Sequence, residues 1–509
     1  MAPVPEFDDA TIARHTAAGH WDARTVTDLV RRNPPDAIAF HAPDATLTWG
    51  EYDDLSSRLA TAYVDAGWRR GDRLAVLLTG GALTHVAYLA AQKAGLVTVG
   101  LGPRAGDAEV AHVVRHTGAV ALATRREHRG RPGKEIAARA GVRHLELDLA
   151  TVPSGQSTVE GLGPDDLFFI NSTSGTTGLP KCVGQTMNVR KYFGPLAAAA
   201  AGFGPDEVMA SVLPAPYGFG LWSAHIVPAM YGFPTVLTEE FDAGGTLRLI
   251  EEHRVTVLAA VTSQFVMLLN HPAMADADLS SLRVLFTGGE RVPYERAAEF
   301  ERRTGCSVLQ FYGSNEAGPI SVTTIRDARE RRLRTVGRPV AGTEVRLFGA
   351  DGQLGVRGPG CTPGYVDDPD ANARLFREDG WLLTGDLAAL DDDGWLTIAG
   401  RAADFIIRGG HNVSAPAMEA AVGTHPRVAQ VAVVGVPDEI LGERACAYLV
   451  TRDGGPLDLD DLRAHLAASG VSKQDWPEYV VVLPELPLGT GGKVDKAALR
   501  AREAPPAPG

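Results

Sequence analysis

The segment from Asn171 to Lys181 carries hydroxyl side chains, glycines and a lysine in close succession. Glycines let the backbone turn sharply with its N–H groups exposed, and a concavity of N–H groups, hydroxyls and an ammonium suits a polyphosphate. This is not the P-loop motif, because Lys181 does not directly follow Gly178 and Cys182 comes after the lysine. The segment therefore predicts a phosphate-binding loop of another kind, with a polar hairpin turn as the competing interpretation. The donors expected in it are Thr173, Ser174, Gly175, Thr176, Thr177, Gly178 and Lys181.

Further polar and aromatic residues stand where predicted strands end. In open α/β sheets ligands collect beyond the carboxyl ends of the strands, so these strand ends are predicted to rim one pocket. The residues concerned are Tyr217 and Phe219, then Gly288, Gly289 and Glu290, then Tyr312, Gly313, Asn315 and Glu316.

The elements that must position these residues follow from the hydrophobic pattern. Short β runs alternate with helices over residues 73–149, which predicts a parallel α/β arrangement. Over residues 337–400 short strands and Gly, Asp and Pro turns predict a small β region, and a new alternation begins after residue 402. The predicted fold class is α/β. A large N-terminal domain of layered α/β sheets plus the small β region spans residues 1–401, and a small mobile α+β C-terminal domain spans residues 402–509.

The composition is that of a soluble globular protein, with 45% hydrophobic and 22% charged residues. At 509 residues the chain is too long for a single core and is expected to form at least two domains. Its net charge of −13 offers no basic surface for nucleic acid or for an anionic membrane. Four widely spaced cysteines, and a start without an apolar signal region, predict a reduced cytoplasmic protein.

Several further segments extend the chemical pattern, namely Tyr312-Gly313-Ser314-Asn315-Glu316, Thr384-Gly385-Asp386, Gly400-Arg401 and Pro487-Leu488-Gly489-Thr490-Gly491-Gly492-Lys493. Together with the segment from Asn171 to Lys181, they resemble the motifs of the adenylate-forming superfamily. Members of that superfamily include acyl-CoA ligases, luciferases and peptide-synthetase adenylation domains. The resemblance covers nearly the whole chain, from Thr48 to Leu499.

The resemblance implies that ATP and Mg²⁺ bind around the phosphate loop. Tyr312 would stack on adenine, Asp386 would accept both ribose hydroxyls, and Arg401 would contact ribose or phosphate. Glu316, with Thr176, would hold the Mg²⁺ that bridges the phosphates. The other nucleotide-binding positions that the resemblance implies are Gly289, Glu290 and Asn315.

The resemblance also implies a catalytic role for Lys493, which would meet the substrate carboxylate and the α-phosphate as charge develops during adenylation. Domain alternation about a hinge at Ala403 would then replace the Lys493 loop by a face that receives coenzyme A. The residues implied to line the pantetheine tunnel of that face are Gly409, Gly410 and His411. Those implied to contact the acyl group are Tyr217, Phe219, Gly288 and Gly313, whose aromatic members favour aryl, alicyclic or medium-sized acyl groups.

The predicted function is an acyl-CoA ligase, which converts a carboxylic acid to its CoA thioester through an acyl-adenylate. Asn315 stands where the family usually has Thr, Ala403 where it usually has Lys or Asp, and Cys182 where Gly is frequent. These departures favour an alternative, a ligase weak in adenylation that receives a preformed acyl-adenylate from a paired enzyme. That arrangement resembles the divided ligase pairs of actinobacterial diterpenoid antibiotic pathways. An adenylation enzyme that loads a carrier protein and a non-catalytic adenylate-binding module are the remaining alternatives, and a homo-oligomer stays open.

Overall fold

The computed structural model describes residues 6–153, 161–173, 180–290, 292–349, 352–401, 405–408, 411–438, 442–469, 471, 473, 476–489 and 494–502. The predicted α/β fold class is confirmed, with layered sheets in a large N-terminal domain and a second domain at the C-terminal end. The predicted boundary falls on residues 402–404, which lie outside the described residues, so its position stays a prediction.

The largest sheet holds the strand ends that the sequence predicted to share one pocket. In spatial order its strands are Arg338–Pro339, Gly318–Val322, Ser307–Ser314, Val284–Gly288, Val257–Ala259, Met209–Ser211, Thr235–Leu237, Ile38–His41 and Thr46–Thr48. The neighbours from Ser307–Ser314 to Met209–Ser211 pair in parallel. Their carboxyl ends therefore lie along one edge of this sheet.

A second sheet carries the segment predicted to bind phosphate. Its strands, in spatial order, are Lys181–Thr186, Leu167–Thr173, Val97–Gly100, Arg73–Val76, Ala121–Thr124 and Arg143–Glu146. Every pair is parallel except the first, in which Lys181–Thr186 returns antiparallel beside Leu167–Thr173. The central strands Arg73–Val76 and Val97–Gly100 are buried along their whole length, as expected for parallel strands covered on both faces.

Helices cover both sheets, and their starts follow from local capping chemistry. In Trp49–Asp65 the Thr48 side chain accepts from the Glu51 N–H while Glu51 reaches back to the Thr48 N–H, a complete capping box. The other α-helices of the N-terminal domain are Asp9–Ala17, Val26–Arg31, Ala82–Lys93, Asp107–Thr117, Gly133–Ala140, Met187–Lys191, Phe193–Ala201, Gly218–Leu221, Val227–Tyr231, Ala243–Glu252, Thr262–Asn270, Tyr294–Thr304, Arg329–Arg334 and Pro369–Leu375. Shorter turns are the 3₁₀ segments Leu149–Thr151 and Pro272–Ala275 and the π segment Trp222–Ile226.

The small β region is an antiparallel sheet, as the sequence predicted. Its strands are Glu344–Phe348, Gln353–Arg357, Leu382–Leu390 and Leu396–Arg401, and a two-stranded ribbon elsewhere pairs Glu127–His128 with Arg131–Pro132. The turn between the last two strands contains Gly394 at φ 81°, a left-handed conformation that glycine adopts without strain. This turn joins the strand that carries Asp386 to the strand that carries Arg401.

The C-terminal domain combines one sheet with helices. Its strands are His411–Ser414, Phe405–Arg408, Gly442–Thr451, Val428–Asp438 and Tyr479–Val482, and its helices are Ala415–Val422, Leu459–Ala468 and Lys496–Arg500. Met418, Val433 and Leu462 are fully buried in its core. This small α+β unit therefore has its own hydrophobic core, as expected for a separate domain.

All four cysteines are free, and Cys182, Cys306 and Cys446 are buried. Among the described helices, none has both the length and the hydropathy that crossing a bilayer would need.

Two histidines lie deep in the core between Trp49–Asp65, Ala82–Lys93 and the π segment. The Nδ1 atoms of His85 and His225 are 3.4 Å apart, and the Tyr52 hydroxyl lies 3.3 Å from His225 Nδ1. The His85 ring also stacks on Phe40, with the ring centroids 5.1 Å apart. Burial lowers the pKa of His85 to about 3, and burial together with neighbouring His85 lowers the pKa of His225 well below its usual value.

This pair predicts that the protein loses stability in mild acid. Both histidines are neutral in the folded chain, whereas an unfolded chain protonates them below pH 6.5, so stability present above pH 6.5 falls as the pH is lowered. One such histidine costs about 1.4 kcal/mol at pH 5.5. Thermal unfolding at pH 7.5 and 5.5 should therefore show a Tm loss that is smaller in His85→Gln. An equal loss in both proteins would contradict the assignment.

Candidate active site

The carboxyl edges of the two large sheets meet at the start of the phosphate-loop segment. The Asn171 side-chain amide donates to the carbonyl of Pro216, which belongs to the loop after Met209–Ser211. The neighbouring Ser172 hydroxyl donates to the Gly100 carbonyl, at a distance of 3.0 Å. Asn171 and Ser172 are both buried. The end of this strand is thus fixed at the junction of the two sheets.

Two paired antiparallel strands flank the phosphate-loop segment. Thr173 pairs with Lys181 in the antiparallel ladder, so the chain passes from strand to strand and not from strand to helix as in a P-loop. The strands on either side of the loop therefore pair as in a hairpin, which was the competing interpretation. Residues 174–179, which include the predicted Ser174, Gly175, Thr176, Thr177 and Gly178, lie outside the described residues, and of Thr173 only the backbone is described. Phosphate binding by this loop stays a prediction.

Lys181 and Glu316 are brought together by a residue that the sequence reasoning missed. The Tyr365 hydroxyl donates to Glu316 Oε1 at 2.9 Å, and the Lys181 ammonium lies 4.7 Å from the centroid of the Tyr365 ring. Tyr365 is buried and bridges to Val183 in the hairpin, which places it beneath both groups. The sequence offers one signal, which is the position of Tyr365 directly after Gly364 in the β region. Nothing in the local pattern, however, links Tyr365 to the hairpin.

Glu316 offers a reasonable position for a Mg²⁺ ion. Its carboxylate is half-buried at the sheet edge, and its Oε1 already accepts from Tyr365. Among the described residues there is no group of three or more His, Cys, Asp or Glu side chains that could hold a metal ion by themselves. A single carboxylate suits Mg²⁺ when phosphate oxygens and water complete its octahedral shell.

Tyr312 and Asp386, the predicted adenine and ribose residues, are in direct contact. The Tyr312 hydroxyl donates to Asp386 Oδ2. The backbone N–H of Asp386 donates to the Thr384 hydroxyl at 3.1 Å, and the intervening Gly385 has φ 76°. Arg401 is the ladder partner of Asp386, although only the backbone of Arg401 is described. The structure thus brings three residues of the predicted nucleoside site together.

Asn315 is directed towards the loop predicted to line the acyl pocket. Its Oδ1 accepts from the backbone N–H of Gly218 at 3.1 Å, and its carbonyl accepts from Gln185 Nε2 at 2.8 Å. A Cβ on Gly218 would lie only 2.5 Å from that Oδ1, so no larger residue fits here without displacing the Asn315 amide. Asn315 therefore ties the nucleotide side of the site to the acyl side.

An aromatic cluster surrounds Phe219, one of the residues predicted to contact the acyl group. The rings of Phe219 and Phe311 meet edge to face with centroids 4.6 Å apart, and both are half-buried. Phe193 and Trp222 extend the cluster inwards, with centroids 5.2 Å apart. A Cβ on Gly288 would stand 2.4 Å from the Phe311 carbonyl oxygen, so glycine is required for this packing. The rings are contiguous, and acyl binding by them stays a prediction.

The other predicted acyl and nucleotide residues also lie at this edge. Gly313 closely approaches the next strand, since a Cβ there would be 2.2 Å from the Gly318 carbonyl oxygen. Tyr217 is half-buried directly before Gly218. Gly289 has φ 80°, and Glu290 Oε2 accepts from the Ser263 N–H at 3.3 Å, in the first turn of Thr262–Asn270. That contact stabilises a helix start, so nucleotide binding by Gly289 and Glu290 stays a prediction.

Cys182 has a packing role. Its side chain is buried in the core with Ile170 and Val366, and burial raises the pKa of its thiol to about 12. The replacement of the frequent glycine therefore extends a hydrophobic core and adds no reactive thiolate.

The remaining predicted residues belong to the C-terminal part of the chain. Lys493, Ala403, Gly409 and Gly410 lie outside the described residues, and of His411 the structure describes only the backbone, paired with Arg408. The catalytic lysine, the hinge and the coenzyme A residues therefore stay predictions.

Comparisons with known proteins agree with this geometry. The family of AMP-binding enzymes matches residues 27–366, and the AMP-binding enzyme C-terminal domain matches residues 417–493. The medium-chain fatty-acid–CoA ligase of Escherichia coli is 32% identical over 532 residues, which cover 97% of this chain and 93% of the relative. The 2-hydroxy-7-methoxy-5-methyl-1-naphthoate–CoA ligase of Streptomyces carzinostaticus is 30% identical over 545 residues, which cover 98% of both chains.

A solved structure shows the same fold. The o-succinylbenzoate-CoA synthetase of Bacillus subtilis, in complex with its acyl-adenylate intermediate, superposes with a TM-score of 0.83 at 27% identity. The superposition covers 94% of this chain and 98% of that one. With the two family matches, the relatives and the site geometry in agreement, the chain belongs to the AMP-binding enzymes of the adenylate-forming superfamily.

Proposed function

We propose that this protein is an acyl-CoA ligase that works through an acyl-adenylate. The observation that carries the proposal is the convergence of Glu316, Asp386 and the phosphate-loop strands at one edge, directly beside an aromatic cluster. Nucleotide and acyl binding would thereby be adjacent, as the transfer of an adenylyl group to a carboxylate requires. The relatives named as CoA ligases support coenzyme A as the acceptor.

The reaction has two steps. A carboxylate oxygen of the acid attacks the α-phosphorus of ATP, which forms the acyl-adenylate and releases pyrophosphate. The thiol of coenzyme A, losing its proton, then attacks the acyl carbonyl, and AMP leaves with the electrons of the broken acyl–oxygen bond. Mg²⁺ at Glu316 would neutralise charge on the phosphates. Asp386 and Tyr312 would hold the nucleoside, so that the α-phosphate faces the acyl side.

The aromatic cluster supports an aryl or alicyclic acid as substrate. Phe219 and Phe311 present half-buried ring surfaces next to Gly218 and Asn315, close to the place where the carboxylate must react. Ring faces and edges favour another ring over a long flexible chain. The Streptomyces relative is named for a naphthoate, which supports the same substrate class. A protein that uses ATP and coenzyme A would act in the cytoplasm, where both are available.

The proposal is tested by ATP–pyrophosphate exchange and by thioester formation. A panel of benzoate, naphthoate, cyclohexanecarboxylate, octanoate and acetate should give its fastest exchange with a ring acid, and coenzyme A should then yield the thioester. A carrier protein with a phosphopantetheine arm is the competing acceptor. If the adenylate formed but only the carrier were acylated, coenzyme A would be excluded as the acceptor. The absence of both exchange and thioester formation from a supplied adenylate would refute an enzyme of this kind.

A second candidate function is a ligase specialised in the thioester step. The observation that favours it is the orientation of Asn315, whose Oδ1 is held by Gly218 at 3.1 Å within the protein. Adenylation needs Mg²⁺ and triphosphate in line for displacement, whereas thioester formation needs only AMP as the leaving group. Because Oδ1 is held, the direction of Asn315 Nδ2, the hydrogen-bond donor of this amide, is fixed as well. A phosphate donor directed wrongly at this position would harm the first step more than the second.

The Asn315→Thr variant separates the two candidates. If the protein is specialised, the variant should gain exchange by about tenfold, which corresponds to one hydrogen bond. Thioester formation from a synthetic acyl-adenylate should change little, and it serves as the internal control. Rapid exchange by the unaltered protein with its best acid would rule out the specialised candidate.

A further inference from the structure

Arg190 is a buried cation that the roles assigned above do not use. It lies in the short helix Met187–Lys191 and is only 7% exposed. Its Nη2 donates to Asn171 Oδ1 at 2.9 Å and lies 3.4 Å from both the carbonyl oxygen and Oδ1 of Asn315. Within the described part of the chain its Nε is buried without a hydrogen-bond partner. Its hydrogen-bond acceptors are therefore neutral amide and carbonyl oxygens, and part of its donor capacity is unused.

Other buried cations of the described residues are paired with carboxylates. Lys191, the next residue in the same helix, lies 2.6 Å from Asp22 Oδ1. The remaining pairs are Arg73 with Asp367 at 3.7 Å and Arg332 with Glu301. In the part of the chain that the structure describes, Arg190 has no acidic side chain at ion-pair distance. Burying a charge without such a partner costs several kcal/mol, so the protein keeps Arg190 at the expense of stability.

The guanidinium lies between the nucleotide side and the acyl side of the site. A Cβ on Gly218 would be 2.7 Å from Arg190 Nη1, so the guanidinium approaches the loop between Tyr217 and Phe219. Burial lowers the pKa of Arg190 to about 10, and the Glu316 carboxylate acts in the opposite direction. Arg190 therefore remains a cation at neutral pH. Its guanidinium lies beside Asn171, Asn315 and the backbone of Gly218.

We propose that Arg190 receives the carboxylate of the substrate before adenylation and the acyl carbonyl oxygen afterwards. The proposal rests on the acyl-CoA ligase function. The unused N–H groups would hold one carboxylate oxygen while the other attacks the α-phosphorus. When the thiol attacks the acyl-adenylate, negative charge develops on the carbonyl oxygen, and a fixed guanidinium stabilises it. Arg190 forms no covalent bond in either step and keeps its protons.

The closing experiment compares Arg190→Gln with Lys191→Gln, its matched neighbour. Arg190→Gln should raise the KM for the best acid of the panel by at least about tenfold, as expected for the loss of a charged hydrogen bond. The KM for ATP should change less than about twofold, and Arg190→Lys should restore part of the acid affinity. Lys191→Gln should leave the acid KM unchanged, because its ammonium binds Asp22 and backbone carbonyls at the N-terminal segment.

A comparison of the thermal stability of the two variants needs no substrate. Arg190→Gln should keep or raise the Tm, because it removes an unpaired buried charge, whereas Lys191→Gln should lower the Tm by leaving Asp22 without its ammonium. A Tm loss for Arg190→Gln as large as that of Lys191→Gln would overturn the proposal, as would an unchanged acid KM. Failure of the ligase function itself is distinguishable, since it would remove exchange and thioester formation from the unaltered protein.

Discussion

Replacing Lys493 by alanine is expected to abolish ATP–pyrophosphate exchange while thioester formation from a supplied acyl-adenylate survives. Lys493 closes a glycine-rich segment of the C-terminal domain that resembles the adenylation loop of the superfamily. In that role its ammonium would neutralise charge that appears between the carboxylate and the α-phosphate only as the bond forms. Loss of one such group typically costs about 10²–10³ in rate. In the thioester step another face of the domain would occupy the site, so the lysine would be absent from it.

Lys496 provides a matched control for this variant. It lies three residues further along, and its Nζ is 2.8 Å from Glu419 Oε1, within the C-terminal domain. Lys496→Ala removes a nearby ammonium and an ion pair without touching the glycine-rich segment. We expect it to leave both half-reactions within about twofold of the unaltered enzyme, since a partly exposed ion pair contributes little stability. Equal losses in both half-reactions for Lys493→Ala would contradict domain alternation.

The fold was predictable because its elements are encoded locally. Thr48 and Glu51 form the capping box that starts Trp49–Asp65, and Gly394 turns the hairpin of the β region. The strands that end at Ser211, Ala259, Gly288 and Ser314 lie side by side in parallel, which is why the residues after them share an edge. In each case residues close in sequence determine the element, and the rule for parallel sheets then determines which ends meet.

The contacts inside the site were not predictable from the sequence. Tyr365 reaches Glu316 across 49 positions of the chain, and Asn171 meets Pro216 across 45. Arg190 lies on a helix of five residues whose pattern gives no sign of function. Such contacts depend on the angle at which two sheets pack and on the side chains that fill the junction. Sequence patterns of a few residues contain no information about that angle.

The departures from the family motif show how structure changes the weight of a substitution. Cys182 directly follows the loop lysine, yet its side chain turns into the core with Ile170. Asn315 in place of the usual threonine is a conservative replacement by residue type, yet its amide contacts Gly218 and Arg190. Because Cys182 is close to the loop lysine in sequence, its effect on the site was overestimated. For the second departure, nothing in the sequence indicated that the amide links the loop of Tyr217 and Phe219 to a buried cation.

The Glu316→Gln variant is expected to lose adenylation almost completely and to keep most of the thioester step. Glutamine retains the size of the side chain and an oxygen that can accept a hydrogen bond from Tyr365. In the unaltered protein the Tyr365 hydroxyl lies 2.9 Å from Glu316 Oε1. It lacks the negative charge that the Glu316 carboxylate would offer to Mg²⁺, so ATP and the metal would no longer be held in line. We expect exchange to fall by about 10²–10³. Thioester formation from an acyl-adenylate involves no triphosphate and should fall far less.

The matched control removes the hydrogen bond and keeps the charge. Tyr365→Phe deletes the hydroxyl that donates to Glu316 but leaves the ring beneath the Lys181 ammonium. If the carboxylate acts through Mg²⁺, this variant should retain exchange within about tenfold, which corresponds to one hydrogen bond. Raising the Mg²⁺ concentration should partly restore exchange in Glu316→Gln and have little effect on Tyr365→Phe. Equal losses in both variants, without any response to Mg²⁺, would show that Glu316 acts by supporting Tyr365 and the hairpin and not as a metal ligand.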